Sequence, residues 1–148
     1  MIILLDTSVL GSATNPAASE ETRECKSWLV DLIKNGCNVL IPEIADYELR
    51  RELLRADKTR GLKALDELIE NLEYLPINTN MMRKASEYWA ECRKNHRPFT
   101  KDEALDGDVI LCAQADSVSN QGSDVVVATT NIGHLSLFVV AKKWQEIA

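Results

Sequence analysis

Apolar residues open the chain without a break, Met1-Ile2-Ile3-Leu4-Leu5, and stop at Asp6-Thr7-Ser8. A short apolar run bounded by polar residues predicts a strand buried on both faces, here residues 2–5. The pattern then changes period. Cys25, Trp28, Leu29, Leu32 and Ile33 follow the i, i+3, i+4, i+7, i+8 spacing of an amphipathic helix. Asn35-Gly36 predicts its end, because glycine accepts the left-handed conformation past a helix terminus. Val39-Leu40-Ile41 repeats the buried-strand pattern. Pro42, tolerated where a helix begins, opens a helix running to about Arg55. Leu62, Leu65, Leu68, Ile69 and Leu72 mark the next helix, and Tyr74 to Ile77 a short strand. Met81, Ala85, Tyr88, Trp89 and Cys92 mark another helix with one apolar face. Asn95 to Asp102 is polar, holds Pro98 and reads as a loop. Leu105 to Ala115 is almost uniformly apolar after Asp108, as in a helix buried on most sides. Val125 to Ala128 is a strand, and Leu137 to Val140 a final one with Trp144 and Ile147 packing back. Strands alternating with helices predict the α/β class: a three-layer α/β/α domain over residues 1–148, with a central parallel sheet of four to five strands.

Composition changes this picture little. The chain has 148 residues, 45% apolar and 27% charged, with a net charge of −6. That length buries a core without staples. The negative balance argues against a free-standing, nonspecific nucleic-acid binder. It does not exclude a nuclease, since acids that hold a divalent cation count as negative in the sequence. Cys25, Cys37, Cys92 and Cys112 are too scattered for a zinc site and read as reduced, buried thiols. The first apolar run is too short, and lacks the basic flank, for a signal peptide. No segment has the roughly 20 apolar residues that span a bilayer. The expected location is therefore cytoplasmic, away from the membrane.

The candidate chemistry lies in carboxylates at strand ends and helix starts. In a parallel sheet the crevice beyond the carboxyl ends of the strands is where ligands bind. Asp6 stands there, although Asp-Thr-Ser is also good capping material. Glu48 falls between Ile44 and Ala45 on the helical wheel and leans toward the sheet, with Glu52 as an alternative. Asp106 and Asp108 flank Gly107 before a buried helix. Either one alone would serve as a cap, but two acids there are costly unless something compensates them. Thr129-Thr130-Asn131 ends the Val125–Ala128 strand, a place equivalent to that of Asp6. Its plain reading is a polar turn. Three or four hard oxygen donors at one edge suit Mg²⁺ or Mn²⁺ rather than zinc.

The order of these segments resembles the PIN-domain ribonucleases: strand–Asp6-Thr7-Ser8, Pro42 to Leu49 around Glu48, Asp108 to Ala115, and Ala128 to Leu135. It is most similar to the VapC-like toxins of VapBC-type toxin–antitoxin systems. The resemblance implies a metal-dependent endoribonuclease that leaves a 5′-phosphate. It places catalytic roles on Asp6, Glu48, Asp108 and Asn131. The metal would be Mg²⁺ or Mn²⁺, held by Asp6 and Asp108, with Asp106 sharing or taking the role of Asp108. Thr7, Ser8, Thr129 and Arg97 are the residues expected to meet substrate. Asn131, where the family often has Asp, brings no charge. Capping of the first helix would pass to Thr7 or Ser8. The resemblance further implies a small antitoxin partner and a homodimer.

RNA must approach an acidic protein. Arg50, Arg51 and Arg55 beside Glu48 form one basic group, and Arg93, Lys94, His96, Arg97 and Lys101 another. His134 reads as a turn histidine. Two rival readings are a non-catalytic interaction module of the same fold, which Asn131 favours, and a phosphotransfer domain with Asp6 as nucleophile. The second lacks the acid two residues on, where Ser8 stands, and the late-strand lysine. Neither G-x-G-x-x-G nor a P-loop occurs, which argues against a nucleotide cofactor.

Overall fold

The computed structural model describes residues 1–95, 102–119 and 122–148. Its five strands are β1 (Ile2–Leu5), β2 (Asn38–Pro42), β3 (Glu73–Leu75), β4 (Val125–Thr129) and β5 (Ala141–Lys143). They form one sheet in the order β3-β2-β1-β4-β5, parallel at every pairing. β1 is central because its four residues are apolar on both faces: Ile2 and Leu4 point into one core, Ile3 and Leu5 into the other. Such a strand is stable only where helices cover both sides.

The helices supply that cover. α1 (Thr7–Thr14) and α2 (Glu20–Lys34) pack on the Ile3 and Leu5 face through Val9, Leu10, Cys25, Leu29 and Leu32. α5 (Thr79–Lys94) and α6 (Asp102–Ser119) pack on the Ile2 and Leu4 face through Met81, Ala85, Tyr88, Val109 and Cys112. α3 (Glu43–Arg55) and α4 (Thr59–Asn71) form a hairpin after β2. α3 belongs to neither layer alone, since Ile44 enters one core and Ala45 the other. It therefore lies across the carboxyl end of the sheet.

Two local expectations fail. α1 has its N-cap at Asp6 itself, whose carboxylate accepts from the Thr7 N–H at 2.7 Å, so capping does not pass to Thr7 or Ser8. The strand expected at Leu137–Val140 does not form. Gly133–Leu137 is a 3₁₀ turn, because Leu135 is buried against α6 and Phe138 stacks on Tyr88 with centroids 4.3 Å apart. Pairing starts only when the Val140 carbonyl accepts from Val127 N–H at 2.9 Å, and β5 follows with Ala141 beside Val127. Its exposed Lys142 and Lys143 keep this sheet edge from pairing with other chains. Trp144 and Ile147 do pack back, on the α2 side. Among the described residues, which include all four cysteines, no disulfide forms. Among the described residues no helix is long and apolar enough to cross a membrane.

A carboxylate site at the end of the central strand

β1 ends at Leu5, and its next residue projects from the centre of the sheet edge. The Asp6 backbone is still held by the sheet, with its N–H donating to Ala128 O at 3.0 Å. Its two carboxylate oxygens have separate partners. One accepts from Thr7 N–H at 2.7 Å and the other from the Thr129 hydroxyl at 2.7 Å. Thr129 is fully buried at the end of β4, and its hydroxyl also accepts from Asn131 N–H at 3.1 Å. Charged acceptors with two such donors are firmly oriented.

Glu48 arrives from α3. The Thr7 hydroxyl donates to its Oε1 at 2.8 Å, so one threonine touches both acids through its N–H and its O–H. α3 is anchored where it starts. A proline at its N-cap provides no side-chain cap, and Ile44 N–H donates instead to Gln114 Oε1 at 3.2 Å. Gln114 is fully buried in α6 and donates in turn to Leu75 O at 2.7 Å. Glu43 accepts from Ile77 N–H at 2.7 Å. Glu48 lies one helical turn beyond Ile44, so these bonds set its height above the sheet.

Asp108 comes from the first half of α6. His134, in the 3₁₀ turn after β4, places Nδ1 3.5 Å from Asp108 Oδ2. Asp106 is exposed on another side of α6, in a hollow shared with Met82, Ala85, Ser86 and Trp89. The helical rotation of about 200° over two residues separates the two acids. Asn131 is exposed, and its carbonyl oxygen accepts from Gly133 N–H at 3.1 Å, shaping the turn that carries Thr129. Ser8 and Thr130 meet through their hydroxyls at 3.0 Å on the rim. Glu52 faces solvent and pairs with Arg55 at 2.8 Å, so it does not replace Glu48. Arg50 is engaged by Asp46 and Asp66. Arg51 lies over the Tyr47 ring, 3.9 Å from Glu48 Oε2. Arg93 lies over Trp89, and Lys94 is exposed. His96, Arg97 and Lys101 fall outside the described residues.

The electrostatics follow from bringing three acids together away from water. Burial pushes the Asp6 carboxyl above its ordinary value, against the lowering effect of Thr129 and Thr7. Burial also raises Glu48, which the Thr7 hydroxyl opposes and the nearby Asp6 reinforces. Asp108 is pushed up to about 6, by burial first and then by Asp6, with His134 pulling the other way. Glu48 and Asp108 thus resist ionisation partly because other acids are there, whereas Asp6 does so through burial. As the side chains lie, no three acidic, histidine or cysteine side chains among the described residues form a ready-made metal cluster. The donor chemistry nevertheless suits a hard divalent cation: carboxylates from three elements, with charge to be neutralised.

A pH prediction follows. Asp108 titrates near 6 when folded and near 3.8 in its ordinary state. Between those values the folded protein binds more protons than the unfolded chain, so stability rises as pH falls. The penalty is complete above about pH 6 and relieved toward pH 4. Two pH units correspond to about 3 kcal/mol, which partial solvent exposure reduces to about 1–2 kcal/mol. Urea unfolding of metal-free protein should give higher stability at pH 5 than at pH 7.5. Equal or lower stability at pH 5 contradicts the clustering.

Two residues of consequence lay beyond sequence reasoning. His134 gave no sign of its contact with Asp108, because nothing local links positions 26 apart in the chain. Gln114 did leave a signal, as a lone amide in the apolar run from Val109 to Ala115.

Comparison with known proteins agrees with the fold. The sequence profile described as the PIN domain matches residues 3–130. No curated protein matches the chain. Among solved structures, VapBC2 from Rickettsia felis bound to a DNA fragment from its promoter superposes with a TM-score of 0.72 at 16% identity. That match covers 97% of this chain and 99% of the other. DNA-bound VapBC from Salmonella typhimurium gives 0.66 at 19%, over 97% and 98%. Mycobacterium tuberculosis VapC20, a toxin that cleaves the sarcin–ricin loop, gives 0.63 at 17%, over 91% and 93%. At these identities the likeness is one of fold.

Proposed function

The chain belongs to the PIN-domain family, and on that premise we propose that it is a metal-dependent endoribonuclease, the toxin of a toxin–antitoxin pair. The observation that carries the reading is the meeting of Asp6, Glu48 and Asp108 at the end of β1. Three partly desolvated acids, two of them pushed further toward protonation by a neighbouring acid, are hard to explain as packing, and a site needing concentrated negative charge explains them.

Asp6 and Asp108 would hold Mg²⁺ or Mn²⁺, with Glu48 beside them. When bound, the ion supplies activation of water and neutralisation of charge at a phosphodiester. The protein's own part is positional. Thr7 and Thr129 fix both oxygens of Asp6, and Thr7 also fixes Glu48, so the acids meet substrate without reorganising. Glu48 is the group placed to orient water and take its proton. Asp108 is the principal α6 ligand, and Asp106, turned toward α5, is not. Asn131 serves by shaping the turn under Thr129. Ser8, Thr130 and the amide of Asn131 line the rim where a ribose-phosphate backbone would lie. Arg51 supplies one positive charge at that rim, and we assign Arg97 to the same task.

The partners follow from the surface. A groove of about 770 Å³ starts at Ser8 and runs past Leu49 and Leu53 to Arg60, and we assign the antitoxin to it. Its apolar floor and basic end suit a short amphipathic segment. The related complexes of VapB with VapC support this partnership. A homodimer fits the exposed Met82 and Trp89, at 45% and 38% accessibility. Sedimentation at the monomer mass would remove that assignment. Thiols outside any disulfide and an RNA substrate favour the cytoplasm.

The test is cleavage of total RNA. Purified protein should cut RNA with Mg²⁺ or Mn²⁺, leave 5′-phosphate ends, and lose at least about 100-fold in rate with chelator. Added antitoxin should suppress the reaction. Undiminished cutting in chelator, or none with either metal, refutes the reading.

A further inference from the structure

Gly107 occupies a place where glycine is a poor choice. It is buried inside α6, and glycine weakens a helix interior relative to alanine. Its φ is not in the left-handed region, so backbone conformation does not require it. The reason lies in its neighbour. A Cβ built on Gly107 would stand 2.5 Å from Glu48 Oε2, 3.0 Å from Cδ and 3.2 Å from Oε1. All three nearest atoms belong to one carboxylate. That carboxylate rests on the bare α6 backbone, one residue before Asp108.

We propose that Gly107 is a positioning residue: the hydrogen in place of a side chain is the seat that holds the Glu48 carboxylate beside Asp108. The inference rests on the nuclease reading above and deepens it. Something must move if a methyl is added. α3 cannot back away easily, because Gln114 grips Ile44 N–H, Ile77 N–H grips Glu43 and Tyr74 hydroxyl grips Asp46 at 2.8 Å. The far end of the Glu48 side chain is the softest part of the contact, so it swings aside. In doing so it loses the 2.8 Å bond from Thr7 and its place near Asp108. The displacement is cheap for folding and damaging for chemistry, where ligand geometry must be held closely. Stability and activity should therefore separate.

Gly107→Ala tests this. Metal-free thermal stability should be unchanged or higher, as expected for alanine in a helix. RNA cleavage should fall at least tenfold, and Mn²⁺ affinity by calorimetry should fall with it. Gly11→Ala, whose methyl meets Leu49 at an ordinary 3.6 Å, is the control for helix propensity and should cut RNA like wild type. Glu48→Asp shortens the acid by one methylene and makes room for the methyl. Combined with Gly107→Ala, it should lose less cleavage and less Mn²⁺ affinity than the product of the two single losses. Cleavage within twofold of wild type for folded Gly107→Ala overturns the proposal. So does a loss that tracks lowered stability with multiplicative losses in the double variant, since Gly107 would then be a packing constraint. A wild-type protein that neither binds Mn²⁺ nor cuts RNA overturns the nuclease reading instead.

Discussion

Asp6→Asn should lower RNA cleavage by about 10³-fold or more while leaving the metal-free protein at least as stable as wild type. A thousandfold loss corresponds to about 4 kcal/mol of transition-state stabilisation. The substitution is chosen for what it preserves. The asparagine carbonyl still accepts from Thr7 N–H, and its amide can donate to the Thr129 hydroxyl, which needs only to rotate. What disappears is one charge from a cluster of three. Burial holds all three carboxyls above their ordinary values, and Asp6 pushes Glu48 and Asp108 further up, so removing its charge relieves the other two. A relief of about 1 kcal/mol would raise Tm by roughly 2–4 °C in a domain of this size. Calorimetry of chelated protein and a cleavage time course on the same preparation check both halves. Wild-type cleavage by the folded variant would remove Asp6 from the chemistry. Lost cleavage with a Tm lowered by 5 °C or more would make Asp6 chiefly a cap of α1.

Gln114→Met should destabilise the protein by about 2–4 kcal/mol, the largest stability effect expected from one polar side chain here. Methionine matches the shape but makes neither hydrogen bond. Ile44 N–H and Leu75 O are then left without partners near the core, and an unsatisfied buried group costs about 1–3 kcal/mol. Tm should fall by roughly 5–15 °C. Cleavage by the folded fraction should also fall, because the first turn of α3 carries Glu48 one turn later. A ΔΔG under about 1 kcal/mol in urea unfolding would show that water or a shifted α3 satisfies those groups. Gln114→Glu provides a further check. It can accept from Ile44 N–H but repels Leu75 O when ionised, so its penalty should grow as pH rises.

Much of the architecture was legible because this sheet is buried on both faces. Ile2–Leu5, Val39–Ile41 and Val125–Ala128 are apolar without alternation, and each is a strand or lies within one. The amphipathic helices were equally plain. Legibility failed where packing rather than propensity decides. Ala141–Lys143 has the composition of a surface turn, yet it pairs because the 3₁₀ turn before it delivers the chain to the free edge of β4. Leu137–Val140 has the composition of a strand, yet its residues serve that turn and its packing on Tyr88.

The site divided along the same line. Strand ends announced Asp6 and Thr129, and the helical wheel turned Glu48 inward. Whether Asp106 or Asp108 faces the cluster depends on the rotation of α6, which its many apolar residues leave open in the sequence. The structure turns Asp108 toward Asp6 and Asp106 toward α5. His134 is a tertiary contact with no local signature.

The hydroxyl that steadies Asp6 belongs to a residue 123 positions later. Asp6 N–H likewise waits for Ala128 O. During synthesis, the first acid is therefore made long before the strand that orients it, and contacts of such separation form late. A half-made chain carries Asp6 and Glu48 but has neither Asp108 nor β4. The carboxylate site is thus complete only as the last strands join the sheet.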